Sequence, residues 1–139
     1  MMLKSLFPAV CALVLSAPVH AQELFTRAQT AADLDDVYFI AQLQVDDMEA
    51  FQTQYVPPVA EMLAGTSALV LAVTPSPIVV EGEWISNWTV LMRFEDQDDF
   101  DTFYADETYQ EQFIPFRTGA ASINNIVLLP AFDPEQFGQ

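Results

Sequence analysis

Any chemistry in this chain has to be built from very few groups. The 139 residues hold four basic side chains, one His and one Cys against twenty acidic groups, for a formal net charge of −16. Lys4, Cys11 and His20 are the sole representatives of their types, and all three fall within the first 21 residues. Beyond them the cations are Arg27, Arg93 and Arg117, and proton transfer or ligand contact is left to Tyr, Trp, Asn and carboxylates. Without Cys or His there is no zinc, haem or iron–sulfur site. There is likewise no Ser-His-Asp triad or Cys nucleophile, and with no Lys there is no Schiff base. No disulfide can form, so the core alone must hold the fold.

The candidates that survive are Arg117 and Arg93 for the anionic part of a ligand, and Trp84, Tyr104, Tyr109, Tyr38 and Asn87 for further contacts. Each also has a plainer use. In so acidic a chain both arginines find carboxylates, and Arg117 suits a helix C-terminus. Aromatics more often fill a core or an interface. Glu61 or Glu81 serves as a base only if buried. No residue is assigned as catalytic. Asn87-Trp88-Thr89 matches a glycosylation sequon, which is set aside in a bacterial-looking chain on a strand.

The charge excludes nucleic acid and anionic membranes as partners, since both require cations to meet them. The run Glu95-Asp96-Gln97-Asp98-Asp99-Phe100-Asp101 lacks the ligand spacing and central Gly of a calcium loop, and reads as an acidic helix start. No metal or cofactor is expected. The first 21 residues read as a secretory signal. Lys4 opens it, Leu6 to Leu15 is apolar apart from Pro8, Ser16-Ala17-Pro18 breaks the run, and Val19-His20-Ala21 is a cleavage site. The run is shorter than the about 20 apolar residues needed to span a membrane. A cleaved product is expected in the periplasm or outside the cell.

The elements that position the candidates follow from periodicity. Residues 22–36 form a polar arm, 37–130 one domain and 131–139 a loose tail. Val37 to Val45 alternates as a strand, with Val37, Phe39, Ala41, Leu43 and Val45 on one face. Asp46 or Asp47 caps a helix from Met48, which Pro57-Pro58 kinks or restarts and Gly65 ends. Ser67 to Thr74 is a second strand, and residues 78–84 form a short extended piece turning at Gly82. Asn87 to Phe94 is the third strand. Asp96 caps a second helix with Asp99 in the capping-box position, and Asp106 caps its continuation, on which Tyr109, Phe113 and Phe116 align. Ser122 to Leu129 is the last strand.

The order β-α-β-β-α-β is the ferredoxin-like pattern, an α+β fold with a four-stranded antiparallel sheet and helices on one face. The second and fourth strands are nevertheless apolar on both faces, and a second copy of the sheet supplies the missing cover. A homodimer is expected.

These stretches resemble a known family. Asp47-Met48-Glu49-Ala50-Phe51, Tyr55-Val56-Pro57, Val80-Glu81-Gly82-Glu83-Trp84, Val90 to Asp96, Phe103 to Gln110 and Arg117-Thr118-Gly119-Ala120-Ala121 occur in the order seen in the domain-of-unknown-function 1330 family. The likeness runs from about Tyr38 to Pro130. It implies a ferredoxin-like protomer, a dimeric α/β barrel and no assigned reaction. Relatives in the wider superfamily include cofactor-independent monooxygenases, isomerases and haem-handling proteins, with a pocket between sheet and helices. The chain departs from the family at Ala72-Val73-Thr74-Pro75, where a basic residue and glycines are usual.

The reading is an exported homodimer that binds a small apolar or aromatic molecule between sheet and helices. Two alternatives stand beside it: a cofactor-independent monooxygenase or isomerase, and an interaction module without ligand.

Overall fold

A computed structural model of the chain describes residues 35–137. The signal expected over 1–21 and all but the last two residues of the expected arm lie outside the described residues. The elements run β1 (Val37–Val45), α1 (Met48–Ala50), a π-turn (Phe51–Tyr55), α2 (Val56–Ala64), β2 (Leu69–Thr74), β3 (Trp88–Phe94), α3 (Gln97–Tyr104), a second π-turn (Tyr109–Phe113), α4 (Ile114–Ala120) and β4 (Ala121–Pro130). The sheet order is β2-β3-β1-β4, with every neighbouring pair antiparallel. This is the ferredoxin-like arrangement that the sequence periodicity indicates.

Alternation in the strands divides the sheet into two unlike faces. The odd positions of β1 are all buried, and Phe39 pairs with Met92 as Val37 does with Phe94. Phe51 and Phe94 are the largest side chains shut fully inside this layer. The opposite face carries Tyr38 and Ile40 of β1, Leu91 and Arg93 of β3, and Val127 and Leu129 of β4, set across from one another by the register. Leu69 of β2 pairs with Arg93 on the same face, and Leu69, Val127 and Leu129 are each about half exposed. Trp84 of the loop before β3 reaches Thr89 at one end of that side, and the half-exposed leucines and valine leave the rest open. The edge strand β2 also carries a register shift between Val70 and Ala72.

The helices show where prolines act. Pro57 and Pro58 lack the N–H groups that would bond the carbonyls four residues back. The chain does not break there. It widens ahead of the prolines into a π-turn, in which Val56 N–H reaches the Phe51 carbonyl, and α2 restarts with proline in its first turn. The same solution recurs before Pro115, where Ile114 N–H bonds the Tyr109 carbonyl. Phe51-Gln-Thr-Gln-Tyr55-Val-Pro57 and Tyr109-Gln-Glu-Gln-Phe113-Ile-Pro115 are thus two versions of one local device.

The caps sit as the sequence indicates, with one change. Asp47 accepts from Ala50 N–H at 3.0 Å, Asp96 from Asp99 N–H at 2.7 Å and Asp106 from Tyr109 N–H at 3.0 Å. Asp99 does not bond back to its own cap. Its carboxylate takes both the N–H and the hydroxyl of Ser67, tying the approach to β2 to the start of α3.

Residues 78–84 lie in a loop that makes the expected turn at Gly82, with φ of 76°, and Ile78 and Val80 are 94% and 90% exposed there. Gly65 ends α2 as expected, at φ of −84°. One expectation needs correction, the loose tail. The tail begins packed, with Ala131 buried and its N–H on the Asp36 carbonyl, before a 3-10 turn over Pro134–Phe137.

Candidate functional site

The helices leave a gap above the buried face of the sheet. It is a cavity of about 270 Å³ lined by Phe39, Ala41 and Leu43 of β1, Trp88, Val90 and Met92 of β3, and Phe51, Tyr55, Val59 and Leu63 from the first helical run. Ala60, Val70 and Val73 also line it and are exposed, so the opening lies between α2 and the edge strand β2. Protein interiors hold few voids larger than a water molecule. The wall is apolar except where Tyr55, Tyr109 and Arg117 reach it.

Those three side chains form one cluster. The two π-turns supply the phenols, Tyr55 at the end of the first and Tyr109 at the start of the second, and α4 supplies Arg117. Arg117 Nη1 donates to Tyr109 Oη at 2.9 Å and to Tyr55 Oη at 3.2 Å, while its Nε donates to Asn124 Oδ1 at 3.2 Å. The phenol oxygens lie 3.5 Å apart. All three side chains are buried, Arg117 to 4% exposure. Phe51 stacks on Tyr55 at 4.7 Å, and Phe103 holds Tyr109 at 4.6 Å.

The electrostatics are unusual. Burial works against the Arg117 cation, yet the two phenol oxygens outweigh it and its pKa is raised above the ordinary value. It is charged at every physiological pH. Burial also pushes the Tyr109 phenol well above its usual 10, helped by Tyr55 and opposed by Arg117. Tyr109 is therefore a hydrogen-bond donor in the working range and cannot serve as a general base. The cluster can orient a ligand oxygen or stabilise negative charge on it.

Of the residues singled out from sequence, Arg117 and Tyr109 meet in this cluster. Tyr104 stacks on Phe100 at 5.3 Å, against the outer side of Tyr109. The others are elsewhere. Arg93 lies on the opposite face of the sheet, across from Tyr38, and pairs with the buried Asp36 at 3.6 Å. Trp84 stands in the 75–87 loop and donates to Thr89 Oγ1 at 3.1 Å, on that same opposite face. Asn87 is used by the backbone: Oδ1 accepts from Val45 N–H at 2.7 Å and Nδ2 donates to the Val45 carbonyl at 2.8 Å, extending the β1–β3 ladder. Tyr55 and Asn124 are the partners that residue type alone did not single out. The repeated aromatic-x3-aromatic-x-Pro spacing marks Tyr55, since it places that residue on the same device as Tyr109.

A family model described as Domain of unknown function (DUF1330) matches residues 36–132. The chain belongs to this family. The match spans the whole sheet, both helical runs and the cavity between them. Among solved structures, a protein of unknown function from Rhodopseudomonas palustris is similar in fold, with a TM-score of 0.60 and 12% identity over 81% of this chain and 95% of that one. A putative antibiotic biosynthesis monooxygenase from Bacteriodes thetaiotaomicron matches with a TM-score of 0.47 and 13% identity over 71% and 95% of the two chains. SnoaB, a cofactor-independent oxygenase from Streptomyces nogalater, matches with a TM-score of 0.47 and 20% identity over 71% and 95%. No curated protein matches the chain.

Proposed function

We propose that this member of the family is an exported homodimeric protein that binds a small apolar or aromatic molecule in the cavity between sheet and helices. The observation that carries the reading is the cavity itself: about 270 Å³ of apolar space, open at one side and touched by one polar cluster. That volume suits a molecule of roughly one or two rings, near the lower end of small-molecule sites. A thermal-shift series of one- and two-ring aromatics tests it, because a ligand that binds only the folded state raises the melting temperature. Specific, saturable stabilisation supports the reading. No shift across the series favours an interaction module without ligand.

The dimer rests on the apolar outer face of the sheet. Ile40 stands across from Leu91, and Leu69, Val127 and Leu129 extend the apolar surface to both edges. A second copy of the sheet buries this surface symmetrically. Export rests on the first 21 residues, and N-terminal sequencing of protein from the periplasm or medium tests it, with Gln22 expected first.

The oxygenase or isomerase alternative draws on Arg117 and Tyr109 as donors able to hold developing negative charge. Turnover of an activated carbon acid that disappears in Arg117→Met, with the fold intact, would move the balance to that reading.

A further inference from the structure

Arg117 does not behave as a structural arginine. Its plain uses would be an ion pair or a contact with the carbonyls ending its own helix. Its hydrogen bonds go to neither: they end on two phenols and one amide. The groups acting on its charge are those same phenols, and no carboxylate pairs with it among the described residues. This occurs in a chain with twenty acidic groups. Burying a cation is costly unless an anion or a full set of acceptors meets it.

The proton count points the same way. A guanidinium has five N–H donors. Three are used here, and Nη2 has no hydrogen-bond partner among the described residues. Both phenol oxygens accept from Nη1, which leaves their own hydrogens to place. One can bridge to the other oxygen across 3.5 Å. The second has no acceptor among the described residues. The cluster therefore carries one positive charge and spare donors, at the edge of an apolar cavity.

We propose that the cavity takes an amphipathic carboxylate: an apolar or aromatic body in the pocket, with its negative oxygens on Arg117 and the Tyr55 and Tyr109 hydroxyls. A carboxylate is acceptor-only and matches the planar guanidinium fork. This deepens the binding reading above and rests on it. It also explains why a buried arginine lacks a protein anion: the ligand brings one. The overall negative charge slows the approach of such a ligand but does not oppose it inside, where Arg117 is the near charge.

Calorimetric titration of the full exported chain with 2-naphthoate and with neutral 2-naphthamide tests this. The two probes share a ring system and differ in charge. The wild type is expected to bind the carboxylate about tenfold or more tightly than the amide. In Arg117→Met that preference is lost while the amide still binds. Tyr109→Phe keeps its ring in the core and is expected to reduce the preference several-fold, which covers a failure of the first variant to fold. Equal affinity for both probes in the wild type overturns the carboxylate assignment and leaves the cavity reading standing. Failure of both probes, and of every other aromatic, overturns the two together.

Discussion

Replacing Arg117 by Met should leave the stability of the free protein nearly unchanged, although Arg117 is 4% exposed and makes three hydrogen bonds. Hydrogen bonds to a charged donor contribute about 1.5–3 kcal/mol each. The desolvation of a buried cation costs several kcal/mol and offsets most of that sum. What remains after substitution decides the outcome. Removing one partner of a buried ion pair strands a charge and costs about 3–5 kcal/mol. Here the partners are neutral, so no charge is stranded. The phenols, 3.5 Å apart, can bond each other, and Asn124 Nδ2 keeps its bond to the Ala121 carbonyl. Asn124 Oδ1 and one of the two phenol oxygens lose their donor, a loss of about 1 kcal/mol each, while the Met side chain adds apolar contact that offsets part of it. The net change expected is within about 1.5 kcal/mol of zero, read by urea unfolding with an unchanged m-value. A loss of about 3 kcal/mol or more would refute the argument and make Arg117 a structural residue.

Further outcomes follow from the same geometry. Ala60→Trp, at the mouth of the cavity, should weaken binding of 2-naphthoate and 2-naphthamide alike with little change in melting temperature, as titration would show. Leu91→Arg, in the middle of the apolar outer sheet face, should give a monomer by light scattering where the wild type is expected to be a dimer; a monomeric wild type removes the dimer. Asp99→Ala releases both bonds to Ser67 and should cost about 1–2 kcal/mol by urea unfolding. The raised Tyr109 pKa has a fixed sign. The unfolded phenol ionises near pH 10 while the folded one stays protonated, so its contribution is complete below pH 10 and falls above it by up to about 1.4 kcal/mol per pH unit. Stability profiles of wild type and Tyr109→Phe should separate in that window, and parallel profiles would contradict the shift.

The sequence makes the strands legible where alternation is strict. Val37 to Val45 and Trp88 to Phe94 show their two faces directly, since each buried position lies two residues from the next. The caps at Asp47, Asp96 and Asp106 are legible because short acidic side chains before apolar runs have few other uses. The turn at Gly82 is legible because only glycine takes its φ of 76° at no steric cost. Asn87 misleads: it carries the groups of a ligand contact, but its amide completes a backbone ladder, which only the register reveals. Arg117 and Tyr109 were visible as types. Their meeting with Tyr55 was not, because it depends on two π-turns that re-aim the helix faces ahead of Pro57 and Pro115. Simple 3.6-residue spacing misses that displacement.

The most direct test of the account is a crystal structure of the protein grown with 2-naphthoate. The ring is expected between sheet and helices, against Phe39, Val90 and Trp88, with the carboxylate within hydrogen-bond distance of Arg117 and at least one of the two phenols. A ring bound outside the cavity, or one seated in it with the carboxylate turned away from Arg117, would contradict it.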